Sequence, residues 1–233
     1  SPLRGTGGAV GAWTGERWLV VDGITDAGGP ITVEVAAYDP ATDSWSSLPS
    51  LELPASWSVS AAWTGQELLL VANPNQGTSA GFRFRPGENA WSVIAAPPFA
   101  GLSTGTGVWT GSELLVPSIT KLPGETREQD LVFAYDPESD RWRTASPPLG
   151  GLSSFEPVWT GRYAVFFSGR GPAAAYDPAA DRWFSLAPAE PPLREFASGI
   201  WAGDRFIAWG GGEGESFLRP ADGAVFLPEW PLE

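Results

Sequence analysis

The sequence predicts an all-β fold, a five-bladed β-propeller whose blades are four-stranded antiparallel sheets. Three observations carry this. A segment made of a small residue, a Trp, a Thr-Gly turn, a polar pair and an apolar run recurs five times, led by Trp13, Trp63, Trp109, Trp159 and Trp201. Its steps of 50, 46, 50 and 42 residues lie in the range of stacked repeat architectures. A second motif follows each copy of the first, and the 23 Pro and 29 Gly interrupt every window in which an amphipathic helix could run.

Each element has a local reason. In Ala12-Trp13-Thr14-Gly15-Glu16-Arg17-Trp18 the Thr-Gly pair supplies the positive φ of a tight hairpin between two strands. The second motif reads Tyr38-Asp39-Pro40-Ala41-Thr42-Asp43-Ser44-Trp45 in copy one and Tyr135-Asp136-Pro137-Glu138-Ser139-Asp140-Arg141-Trp142 in copy three. An Asp side chain bonds the backbone two residues on and Pro presets the next φ, so this is a second hairpin turn. Copies two and four run Phe84 to Trp91 and Tyr176 to Trp183, and a degraded fifth is read at Leu218-Arg219-Pro220-Ala221-Asp222-Gly223-Ala224-Val225. Each unit is therefore strand, Thr-Gly turn, strand, variable loop, strand, Asp-Pro turn, strand. One such sheet cannot bury both faces, and stacking sheets around an axis can.

The spacings divide the chain into fixed and free parts. From each second-motif Trp to the next first-motif Trp the counts are 18, 18, 17 and 18, whereas from the first Trp to the Tyr position they are 25, 21, 26, 17 and 17. Variation is thus expected in the loop between strands two and three, where recognition usually resides. The whole of 1–233 reads as a single domain with blades at about 5–50, 51–97, 98–147, 148–188 and 189–230. The residues after Val225 and before Trp13 add up to about one ordinary blade junction, so a closed ring whose ends meet is expected; a six- or seven-bladed ring with blades missing or diverged is the alternative.

Composition narrows function by exclusion. A formal charge of -13 argues against a nucleic-acid footprint. With no Cys and no His, thiol and imidazole catalysis, disulfides and zinc or copper sites are out, leaving a hard cation such as calcium as the conceivable metal and no cofactor as the expectation. No apolar run reaches the roughly 20 residues of a transmembrane helix. The absence of Met throughout suggests a trimmed product, expected outside the cytoplasm as a secreted or surface-anchored monomer.

These motifs resemble those of Kelch-repeat propellers of the bacterial galactose-oxidase-like type over nearly the whole chain. The family's double glycine after strand two survives only as Gly210-Gly211, and the Arg ahead of the first Trp only as Arg194. The resemblance implies an innermost first strand, an outermost fourth, and a usual role in binding proteins or glycans. The family's copper chemistry needs His and a Cys-derived cross-link, and neither residue type exists here.

On that architecture, residues of the inner strand and its approach converge with the loops between strands two and three on one mouth of the channel. Trp57, Phe155, Glu156, Arg194, Phe196, Asn73, Asn75 and Arg170 are the candidate ligand-binding residues, an aromatic platform beside amides, an acid and Arg that suits a sugar or a peptide. The chain is accordingly read as a non-catalytic module recognising a glycan or partner protein. The alternatives are a carbohydrate-active hydrolase or lyase using Glu156 with Glu195, or a structural unit of a larger secreted protein. The motif Trp residues are expected in the core between blades, Arg141, Arg143 and Arg182 on an exposed edge, and the Arg pair of Phe82-Arg83-Phe84-Arg85 in water.

Overall fold

The structure is a computed structural model of the chain, and it describes residues 2–3, 9–22, 31–53, 56–74, 78–99, 107–121, 126–146, 148, 157–166, 173–187, 195–212, 222–228 and 230. Five antiparallel sheets follow one another as the blades of a propeller. Blade 1 comprises β1 (Val10–Trp13), β2 (Trp18–Asp22), β3 (Ile31–Asp39) and β4 (Ser44–Leu53), and blade 2 β5 (Ser56–Trp63), β6 (Leu68–Pro74), β7 (Ala80–Arg85) and β8 (Ala90–Val93). Blade 3 comprises β9 (Val108–Trp109), β10 (Leu114–Thr120), β11 (Gln129–Asp136) and β12 (Arg141–Thr144), and blade 4 β13 (Val158–Trp159), β14 (Ala164–Phe166), β15 (Ala174–Asp177) and β16 (Arg182–Ser185). Blade 5 has three strands among the described residues, β17 (Glu195–Trp201), β18 (Phe206–Gly212) and β19 (Gly223–Phe226). First strands of successive blades stand side by side, β1 with β5, β5 with β9, β9 with β13 and β13 with β17.

Both turns form as the residues dictate. The Thr64 hydroxyl accepts the amide of Glu67 at 3.1 Å and donates to its carbonyl at 3.2 Å, while Gly65 turns the chain at φ +100°. Thr14, Thr110 and Thr160 repeat the arrangement. In the second turn Asp39, Asp136 and Asp177 each accept an amide two residues on, at 2.9, 2.9 and 3.0 Å. The last Asp or Asn of the motif takes the left-handed conformation, with φ between 48° and 53° at Asp43, Asn89, Asp140 and Asp181, which Asp and Asn tolerate best among residues with a side chain.

That acid and the following Trp join neighbouring blades. Asp140 Oδ1 accepts the amide of Ala95 at 2.9 Å and Trp142 Nε1 donates to the carbonyl of the same Ala95 at 2.8 Å. One blade further on, Asp181 and Trp183 hold Ser146 in the same way, at 2.9 and 2.7 Å. Between blades 1 and 2 the residue held is Pro49, which has no amide hydrogen; Trp91 still donates to its carbonyl at 2.8 Å, and the acid is replaced by Asn89. The seven-residue aromatic spacing is thus a distance between two anchors on the preceding blade as well as a hairpin length.

Four apolar clusters fill four seams. Leu19, Val21 and Val35 of blade 1 meet Leu68, Leu70 and Phe84 of blade 2, and Leu69 and Val71 of blade 2 meet Leu114, Val116 and Phe133 of blade 3. Leu115 and Val132 of blade 3 meet Ala164 and Tyr176 of blade 4, and Val158 and Val165 of blade 4 meet Phe206 and Ala208 of blade 5. Among the described residues no such cluster joins blade 5 to blade 1. The residues expected to make the junction between the chain ends lie mostly outside the description.

Blade 5 also corrects the reading of the fifth second motif. Phe226 lies opposite Phe206, the place that Phe84 takes opposite Leu68 and Tyr135 opposite Leu114. The Tyr-equivalent is therefore Phe226, 25 residues after Trp201, and Gly223 to Val225 belong to the strand before the second turn; Leu218 has neither Asp-Pro after it nor an aromatic seven residues on to mark a turn there. Trp230 follows and stacks on Tyr163 of blade 4, with ring centroids 5.0 Å apart.

Candidate functional site

Alternating strand direction puts the Thr-Gly and Asp-Pro turns on one face and the ends of strand two and starts of strand three on the other. A cleft of about 1490 Å³ opens on the turn face, across blades 2, 3 and 4. Its walls are the turns themselves, with Trp109 and Trp159, the last residues of neighbouring inner strands, exposed in part within it. Both rings also pack against the seam clusters, so the core expected of them and a cleft wall coincide. Trp13 departs from that expectation, lying 42% exposed.

Charge in the cleft is organised by position. The residue that closes the Thr-Gly turn is Arg17, Glu67, Glu113, Tyr163 and Arg205 in blades 1 to 5. In blade 2 the buried Glu67 faces Arg83 at 3.4 Å and accepts from Arg85 Nε at 2.8 Å. Arg83 reaches on to the Tyr135 hydroxyl of blade 3 at 2.6 Å, and that hydroxyl donates to Asp140 at 2.6 Å. In blade 3 Glu113 receives Arg143 through two bonds, 2.8 and 2.6 Å, and Arg143 reaches Tyr176 of blade 4 at 3.1 Å, whose hydroxyl donates to Asp181 at 2.5 Å. The two arginines come from different strands, Arg83 from β7 and Arg143 from β12, yet serve the same Tyr-Asp pair one blade on. Blade 4 substitutes rings for charges throughout: Tyr163 replaces the Glu, Phe184 the Arg, and Trp230 stacks on Tyr163.

The titrations follow from these bonds. Burial, then the bond to Asp140, pushes the Tyr135 hydroxyl far above the ordinary phenol range; burial, then the bond to Asp181, pushes Tyr176 up to about 12. The bidentate bond to Glu113 raises Arg143 further still. The amide of Ala95 and the Tyr135 hydroxyl hold Asp140 below the usual aspartate value, and the Tyr176 hydroxyl with the amide of Ser146 does so for Asp181. Glu67, Arg83 and Asp140, like Glu113, Arg143 and Asp181, are thus each held by a partner, and the cleft sets these polar groups beside two indole rings.

Two expectations for arginine change. Arg83 is 12% exposed at its side chain and faces Glu67, not water, because a carboxylate on the adjacent turn makes burial tolerable. Arg143 binds Glu113 and is not a bare edge charge, whereas Arg182 does lie over a ring, 4.4 Å from the centroid of Phe184. Glu67 and Glu113 were not singled out by sequence; their signal is that Thr-Gly-x-Glu occurs in copies two and three alone.

Of the residues predicted from sequence, Asn73 is the one whose side chain is described, and it stands near the end of strand two, away from the turn face. Asn73 is buried, and its Oδ1 accepts the Ser79 hydroxyl at 2.8 Å. Trp57 lies in β5, and Glu195 and Phe196 in β17, with side chains outside the description. Asn75, Phe155, Glu156, Arg170 and Arg194 lie outside the described residues. Among the described residues no group of three acidic side chains is placed to hold a metal ion, and no helix is long and apolar enough to cross a membrane.

No family model and no curated protein matches the chain. The fold is similar to the solved structure of YjhT, with a TM-score of 0.68 and 15% identity over 87% of this chain and 72% of that one. At that identity the likeness speaks for the propeller fold alone.

Proposed function

We propose that this propeller is a non-catalytic, Kelch-like recognition module, working outside the cytoplasm, that binds a glycan in the cleft on its turn face. The observation that carries the reading is the pair of part-exposed indoles, Trp109 and Trp159, in a cleft where Glu67 is paired with Arg83 and Glu113 with Arg143. Rings stack on the apolar faces of sugars, and a wall of fixed hydrogen-bonding groups orients the hydroxyls. The lining holds four arginines against six carboxylates, which disfavours an anionic ligand. Glu67 and Glu113 are each bound by arginine, which supports binding over acid-base chemistry; the hydrolase or lyase reading rests on Glu156 and Glu195, whose side chains lie outside the description.

A glycan array probed with the intact chain, followed by titration of any hit, tests this. Trp109→Ala and Trp159→Ala are each expected to weaken binding about tenfold, the stacking contribution of one ring. Trp57→Ala, toward the opposite face, should leave it unchanged. Binding lost in Trp57→Ala and kept in the other two moves the site to the loop-bearing face, and an array without hits refutes the glycan.

A further inference from the structure

Two acids lining the cleft are buried, and they differ in what holds them: Glu67 is paired with arginine, and Asp177 is not. Asp177 opens the second turn of blade 4, where its Oδ1 accepts the amides of Ala179 and Ala180 at 3.0 and 3.3 Å. Asp39 and Asp136 serve their turns through the same oxygen, and in both the other oxygen also has a partner. The guanidinium of Arg17 stands 3.7 Å from Asp39 Oδ2, and the hydroxyl of Ser139 donates to Asp136 Oδ2 at 2.6 Å. Blade 4 has neither device, because Tyr163 holds the place of Arg17 and Ala180 that of Ser139. Among the described residues no side chain donates to Asp177 Oδ2, although the residue is only 7% exposed. A carboxylate so withdrawn from water calls for a counter-ion.

The surroundings select the kind of cation. Trp159 ends β13 and Asp177 ends β15, one on each side of β14, so their backbones stand about 10 Å apart, two strand spacings, at the same end of one blade. An indole face attracts a cation as well as stacking on a sugar. A metal ion asks for several oxygens at once, and among the described residues no group of three acidic side chains is placed to supply them. An ammonium needs one strong acceptor and can keep its other donors in water. The guanidiniums of blade 4 itself lie over rings, Arg162 at 4.9 Å from the centroid of Tyr163 and Arg182 at 4.4 Å from that of Phe184. Six carboxylates against four guanidiniums leave the lining negative, with the exposed Glu138 on the neighbouring turn.

Resting on the glycan reading above, we propose that Asp177 and Trp159 form a subsite for a free amino group, so that the glycan recognised in the cleft is a polymer of amino sugar whose amines are not acetylated. The sugar ring stacks on the indole, and its ammonium donates to Asp177 Oδ2, the oxygen whose counterparts in blades 1 and 3 are filled by Arg17 and Ser139.

The test is calorimetric titration of the intact chain with a β-1,4-linked glucosamine hexamer, its N-acetylated counterpart and a lysine hexamer. The glucosamine hexamer is expected to bind about tenfold more tightly than the acetylated one, the contribution of one charge-assisted hydrogen bond. Asp177→Asn keeps an acceptor for the two turn amides and should remove that preference, whereas Glu16→Gln, the same charge change on the blade 1 turn outside the cleft, should preserve it. Ala180→Ser leaves the charge in place and returns the donor that Ser139 supplies in blade 3; it should lower the preference about threefold while the acetylated hexamer binds as before. Trp159→Ala should weaken both sugars. Equal affinity for the two sugars, still bound through Trp109 and Trp159, overturns the amine subsite and leaves the glycan reading standing; a chain that binds no glycan overturns both. A lysine hexamer bound as tightly as the glucosamine hexamer, with no loss in Trp159→Ala, assigns the attraction to the net charge of -13 and overturns the subsite as well.

Discussion

Replacing Glu67 by Gln removes one charge from the best-buried ion pair described. Glu67 and Arg83 are 9% and 12% exposed at their side chains and 3.4 Å apart. Breaking a fully buried pair costs about 3 to 5 kcal/mol, and breaking an exposed one about 1 or less. Here Arg83 keeps the Tyr135 hydroxyl at 2.6 Å and Asp140 at 3.4 Å, so the stranded charge is partly compensated and about 2 kcal/mol is the expected cost. For a domain of this length that is a fall in Tm of about 4 to 8 °C. Glu113→Gln, in the same place one blade on, involves partners 18% and 36% exposed and should cost about 1 kcal/mol. Urea unfolding of Glu67→Gln, Arg83→Met and the double variant completes the cycle. The double variant should be more stable than the sum of the single effects predicts by about 1 kcal/mol, because no charge is left without its counter-ion. Additive single effects, or a larger loss for Glu113→Gln than for Glu67→Gln, would refute the ordering by burial.

Acidification should weaken the seams. Asp140 and Asp181 titrate below the ordinary aspartate value, so their contribution is complete above about pH 4 and is lost as pH falls through their folded values; the urea midpoint of Asp140→Asn/Asp181→Asn should fall less over that range. Tyr176, held at about 12, works in the other direction, contributing fully below about pH 10 and losing that contribution between pH 10 and 12, measurable as late tyrosinate absorbance that Tyr176→Phe removes. Trp183→Phe keeps the ring and deletes the donor to the Ser146 carbonyl, and should cost about 1.5 kcal/mol in urea unfolding. Gly199→Ala would place a methyl group inside the Phe206 ring at the seam between blades 4 and 5, and should cost about 1 to 3 kcal/mol by overpacking.

Blade number, strand order and both turns were legible in the sequence because each depends on neighbours a few residues apart: a Thr hydroxyl on its own turn, an Asp on the amide two residues on. The fifth second motif was misplaced because Leu218-Arg219-Pro220 imitates the turn by spacing while the pairing of Phe226 with Phe206 is set across the sheet. The buried Arg83 escaped for a related reason, since period-two alternation reports which side of a strand a residue occupies and not whether the next blade covers it. The charged chain in the cleft was readable only by laying the copies side by side, where Glu67 with Arg83, Glu113 with Arg143, and Tyr163 with Phe184 change together.

The exchange of Asp for Asn89 where Pro49 stands on the neighbouring blade shows where complementarity resides. The matched pair belongs to the boundary, half on either side of it. Shuffling whole blades, a natural way to engineer or to evolve such a chain, would set an acid against Pro49, or Asn89 against a free amide, wherever blade 1 or blade 2 changed its neighbour. Segments cut inside the outermost strand, between the anchoring indole and the residue four places later, would travel with their matches intact.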